Sequence, residues 1–73
     1  MSPEQKLQLR IIDLEKIIVF NYRTWERISK ISGVEAVGYL RQLKLNMGIV
    51  CELTGEQATD VAARLGISVR MWQ

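Results

Sequence analysis

Eight carboxylates, ten cations and a single thiol carry most of the ionisable chemistry of this 73-residue chain, and no histidine joins them. Histidine is the commonest metal ligand and the commonest general base, so both roles lose their usual candidate. The carboxylates Glu4, Asp13, Glu15, Glu26, Glu35, Glu52, Glu56 and Asp60 are scattered along the sequence. Glu4, Glu35, Glu56 and Asp60 fall near expected helix starts, where they favour the positive end of the helix dipole. Glu26 and Lys30 form an i,i+4 pair in the favourable order. These are structural positions. Cys51 lies in an apolar helical stretch and reads as a small buried hydrophobe. Without paired acids, an activated cysteine, a phosphate loop or metal-ligand spacing, the expectation is no enzyme activity, no metal and no cofactor.

The cations are more informative. Arg23, Arg27 and Lys30 cluster around Trp25, and Arg41 and Lys44 come near the same end if the chain folds back on itself. Five such charges suit phosphates or an acidic protein surface, although the plainer expectation is a solvated helix face. The net charge of +2 is too slight to argue for nucleic acid by itself.

Residues 58–73 carry a further pattern. Val61, Ala62 and Leu65 share one face of a short helix. Gly66 stands where a helix ends in a left-handed residue, and Ile67 is placed to fold back on the helix it has left. Ser68 then suits an N-cap, with a second helix from Val69. The small Ala62 allows two helices to approach closely.

From Gln57 to Gln73, under a quarter of the chain, this pattern resembles the helix-turn-helix of small phage and bacterial repressors and their transposase and excisionase relatives. The matching positions are Ala62 at the small-residue slot, Leu65-Gly66-Ile67-Ser68 through the turn, and Arg70, Trp72 and Gln73 in the recognition helix. The unit is a truncated one, since the recognition helix of such families runs on for another turn or so. The resemblance implies that Ser68, Val69, Arg70 and Gln73 face the major groove, with Trp72 as core. Arg70 would read guanine and Gln73 adenine. Gln57 and Ser68 would donate to phosphates beside the groove. The alternative is that Val69, Met71 and Trp72 form an apolar tail that docks on the preceding helices.

Three capping boxes organise the elements that position these residues: Ser2-Pro3-Glu4-Gln5, Ser32-Gly33-Val34-Glu35 and Thr54-Gly55-Glu56-Gln57. They predict helices over roughly 3–31, 34–53 and 55–65, with a short fourth from Val69. The first carries Leu7, Ile11, Leu14, Ile18, Tyr22 and Trp25 along one stripe, with Ile28 at its edge. A second stripe, Leu9, Ile17, Phe20 and Ile31, runs beside it. The second helix offers Ala36, Leu40, Leu43, Met47 and Val50, flanked by Tyr39 and Leu53. A short connection makes the two an antiparallel hairpin. The first helix, on the order of 40 Å long at 1.5 Å per residue, outreaches the second. The third helix is expected to cover part of what remains, and a homodimer through Leu9, Ile17, Phe20 and Ile31 would cover the rest.

Asn21 falls near the main stripe. It would fix register in a helical interface, but the plainer expectation is that it points to water. Gly38 and Gly48 each cost roughly 1 kcal/mol relative to alanine, which implies either close helix approach or a break near Asn46-Met47-Gly48.

At 48% hydrophobic the chain is too apolar to be disordered. Its length allows one domain that gains from a second buried face. A lone cysteine suits a reducing compartment, and so a cytoplasmic location. The longest apolar run, Ile17-Ile18-Val19-Phe20, is far short of a membrane span, and Met1 to Lys6 lack the apolar core of a signal peptide. The sequence therefore reads as one all-α domain, residues 1–73, with a hairpin over 1–54 and a helix-turn-helix-like segment over 55–73. The expected function is a small regulator of phage or mobile-element type that binds DNA. The alternative is a non-enzymatic inhibitor or adaptor that binds a protein through the hairpin's surplus apolar face.

Overall fold

The computed structural model describes residues 2–32 and 37–68, and among these the regular structure is entirely helical. Helix α1 spans Pro3–Ser32, α2 spans Val37–Thr54 and α3 spans Ala58–Leu65. Most tertiary contact is between α1 and α2, which pack as the expected hairpin. The molecule measures 45 × 24 × 17 Å. The long dimension is the length of α1, since 30 residues at 1.5 Å each span about 45 Å.

The first capping box forms as read. Gln5 N–H donates to Ser2 Oγ (3.2 Å) and Ser2 N–H donates to Gln5 Oε1 (3.1 Å). Two otherwise orphaned donors are satisfied, and Pro3 at the first helical position needs no partner for a missing N–H. The second box lies largely outside the described residues, as do Ala36 and the expected fourth helix from Val69. Ser32, expected to cap α2, is instead the last residue of α1.

The third box does not form. Thr54 Oγ1 donates to the Val50 carbonyl (2.9 Å) and accepts Glu56 N–H (3.2 Å), so its hydroxyl closes α2 rather than opening α3. Gly55 has φ +76° and sends its N–H to the Cys51 carbonyl at 2.8 Å. A residue in that left-handed state ends a helix and cannot be the first residue of the next. Helix α3 therefore starts at Ala58, not 55, with Gln57 as an extended N-cap whose side chain makes no capping bond.

The C-terminal turn follows the sequence. Gly66 has φ +74°, its N–H reaches the Ala63 carbonyl (3.2 Å), and Ile67 N–H reaches the Ala62 carbonyl (3.0 Å). These two bonds define a Schellman motif. Its hydrophobic partners, Ala62 and Ile67, are both buried.

The core sits where the three helices converge: Ile18 from α1, Leu43, Met47 and Val50 from α2, and Val61, Ala62 and Ile67 from α3 and its turn. Leu14, Tyr22, Cys51, Ala58 and Leu65 pack around it. Ser2 to Arg10 are all exposed, so among the described residues the first turns of α1 lie outside the core. Two expectations need correction. Asn21 does not point to water but is buried at 8% exposure, beside a shallow recess lined by Gly38, Tyr39 and Gln42. Helix α2 runs unbroken through Gly48, and a Cβ built at Gly38 or Gly48 meets nothing within 4 Å. Neither close approach nor a helix break accounts for these two glycines.

Candidate binding surfaces

A row of residues spaced three or four apart, Leu9, Ile12, Lys16, Phe20, Arg23, Arg27 and Ile31, runs along the side of α1 turned away from α2. Every member is exposed, Phe20 at 63% and Ile31 at 79%. Spacing of this kind keeps side chains on one helical face. Here it interleaves large apolar groups with cations. The middle of the row borders a groove of about 620 Å³ lined, among the described residues, by Ile12, Glu15, Lys16, Val19, Phe20, Arg23, Thr24, Arg27 and Leu65.

One wall of the groove is held by an ion-pair clamp. Arg64 of α3 places Nη1 2.9 Å from Glu15 Oε1 on α1, and Nη2 2.9 Å from Glu56 Oε1 in the connection before α3. Its Nε–H also donates to Glu56 Oε2 at 3.3 Å, making the Glu56 contact two-pronged. A planar guanidinium suits this fork geometry. The hydrogen bonds from Arg64 hold the Glu56 carboxyl below the usual carboxylate range, and Glu56 and Glu15 in turn raise the Arg64 pKa. The clamp brings Leu65 to the groove edge and leaves Glu15 engaged rather than open to a ligand.

Tyr22 adds a smaller electrostatic link, with Glu26 one turn on and the Ser68 backbone acting on its hydroxyl in opposite senses. Hydrogen bonding to Glu26, with burial, raises the Tyr22 pKa. Glu26 is pushed down, first by Tyr22 and then by Lys30, whose Nζ lies 3.4 Å from Glu26 Oε1. The Tyr22 and Trp25 rings lie 6.1 Å apart at 40°, and Tyr22 packs against the core that includes Ile67.

The expected five-cation cluster separates into parts. Arg23 and Arg27 border the groove on the outer side of α1. Arg41 and Lys44 flank a different recess with Val37 and Leu40. Lys30 pairs with Glu26. The hairpin has two flanks, and sequence spacing alone does not say which flank each cation takes. Lys16 and Leu65 were missed as groove residues. Lys16 was detectable, because it stands four residues from both Ile12 and Phe20. Leu65 was not, because only the docking angle of α3 brings it there.

Of the residues expected to touch DNA, Gln57 is exposed at the start of α3 and Ser68 is half-buried. Val69, Arg70 and Gln73 lie outside the described residues. Of the expected dimer contacts, Leu9, Phe20 and Ile31 lie on the outer row and Ile17 is exposed beside it.

Cys51 is half-buried, and burial followed by the nearby Glu56 charge raises its thiol pKa. A protonated thiol is a poor nucleophile and a poor metal ligand. Among the described residues no group of three His, Cys, Asp or Glu side chains is placed to hold a metal ion. No described helix is long and apolar enough to cross a membrane. Comparison with family models, with curated proteins and with solved structures gave no match.

Proposed function

We propose that this chain is a non-enzymatic protein-binding module, an inhibitor or adaptor that acts through the outer face of α1. The observation that carries the reading is the exposed set Leu9, Ile12, Ile17, Phe20 and Ile31 on a single helix of a small domain. Several large apolar groups gathered on one helical face, even with cations between them, point to an interaction site, whereas isolated exposed hydrophobics need no explanation. A cytoplasmic setting, consistent with the lone free thiol, belongs to the same proposal. The test is affinity capture with the tagged chain from nuclease-treated extract of its source cells, in parallel with an Ile17→Glu/Phe20→Glu variant. A protein recovered by the wild type and lost with the variant is the expected result. Equal recovery by both, or a complex that disappears on nuclease treatment, overturns it.

A second reading is favoured by one specific feature, the Schellman turn at Gly66 with Ala62 and Ile67 buried behind it. That arrangement suits the helix-turn-helix of a small phage or mobile-element regulator, with Gln57, Ser68, Val69, Arg70 and Gln73 as its DNA contacts. Gel retardation of duplex DNA at two salt concentrations separates the readings. Phosphate-driven binding weakens steeply with salt, and an apolar protein interface hardly responds.

A further inference from the structure

We propose that the groove on the outer side of α1 accepts an acidic amphipathic helix of a partner protein. This rests on the protein-binding reading above and names the chemistry of its partner. The lining combines apolar Ile12, Val19, Phe20 and Leu65 with the cations Lys16, Arg23 and Arg27. The only carboxylate among the described lining residues, Glu15, is held by Arg64 at 2.9 Å. The ligand therefore meets three cations and no competing free acid among the described lining residues. From Ile12 to Arg27 the groove follows α1 for about 22 Å at 1.5 Å per residue, the length of a helix of roughly four turns. A helix seated there would insert apolar anchors at i, i+4 and i+7 between the α1 row and Leu65. Asp or Glu beside those anchors would meet the cations.

Charge decides between this occupant and the alternatives. A second copy docking by the same face brings a second Lys16, Arg23 and Arg27, against Asp13 and a Glu15 already held by Arg64. Like charges set face to face select against the pairing. The chain's own Val69 to Gln73 has Arg70 and no acidic side chain, so it also lacks the complement. A nucleic acid would satisfy the cations but leave Phe20 and Ile12 against phosphate and water.

The experiment uses the full chain and a pair of fluorescein-labelled, hydrocarbon-stapled helical peptides. Both carry Leu at i, i+4 and i+7; one has Glu and the other Lys at the flanking positions. Fluorescence anisotropy should show the Glu peptide binding at least about tenfold more tightly than the Lys peptide. Phe20→Glu should abolish binding of the Glu peptide. A Lys16→Glu/Arg23→Glu/Arg27→Glu variant should reverse the preference, with circular dichroism and Tm reporting that each variant is folded. Arg23→Gln/Arg27→Gln, which keeps the stems and removes two charges, should weaken the Glu peptide without favouring the Lys peptide. Equal binding of the two peptides, no binding of either, or binding that survives Phe20→Glu overturns the proposal. So does a Phe20-dependent dimer in sedimentation, or duplex DNA bound in place of peptide through the same residues. If extract capture yields a partner that depends on Ile17 and Phe20 while the Glu peptide fails, the acidic helix falls and the protein-binding reading stands.

Discussion

Arg64 and Glu15 stand forty-nine positions apart in sequence, yet their charged groups meet at 2.9 Å. This pair fastens the shortest helix to the longest, and Glu56 doubles it from the chain that leads into α3. Arg64→Gln should loosen α3 on α1 more than it lowers global stability. The Arg64 side chain is 42% exposed, and exposed pairs contribute roughly 0–1 kcal/mol. Faster amide exchange through α3, with a small fall in Tm, is the expected pattern. A Tm drop with uniform exchange across all three helices would contradict it.

The Arg64–Glu56 contact sets an acid limit. The Glu56 carboxyl is depressed by its Arg64 hydrogen bonds, so its folded-state pKa lies below the unfolded 4.5. Its stabilising contribution is then complete above about pH 4.5 and is lost as pH falls through the lower folded value. Glu26, depressed by Tyr22 and Lys30, acts in the same direction. Denaturation measured between pH 6 and about pH 3 should show falling stability below about 4.5. Arg64→Gln should show a shallower fall.

Tyr22→Phe removes the hydroxyl that, ahead of Lys30, holds the Glu26 carboxyl below its ordinary range. The Glu26 pKa, read by NMR titration, should rise toward its ordinary value.

Gly66 and Gly48 should respond in opposite directions. Gly66 sits at φ +74°, where a side chain is strained even though space surrounds it. Gly66→Val should therefore cost more than about 1 kcal/mol. Gly48 lies exposed in the middle of α2 with ordinary helical geometry and nothing near its missing Cβ. Gly48→Ala should stabilise by roughly 0.5–1 kcal/mol. Urea denaturation of the two variants checks both signs.

Much of this fold was legible because helical periodicity is local. The Leu14-Ile18-Tyr22 stripe, the Ser2 box and the Gly66 turn each depend on residues within a turn or two of one another. The Thr54 box failed because two local programmes share the same residues. Gly55 can end α2 or begin α3, and the Cys51 carbonyl at 2.8 Å decides for the former. Asn21 was misplaced because burial at the edge of a stripe depends on how far α2 leans over it. The Arg64 clamp and the groove edge at Leu65 depend wholly on where α3 docks, which no spacing within the chain encodes. Lys16 differs, since its spacing of four from both Ile12 and Phe20 does encode its place on the outer row.

The exposed start of α1 makes that helix a rod clamped at one end. Between Ser2 and Leu14 it projects about 18 Å at 1.5 Å per residue, stiffened by its own backbone bonds and the Ser2 cap. A tilt of about 10° at the clamp moves the tip by about 3 Å over that length. A molecule gripping Leu7 or Leu9 would therefore hold a lever whose fulcrum is Ile18, at the centre of the packed helices. Small repacking around Ile18 would be felt at the tip as displacement, and a load on the tip would return to the core as torque.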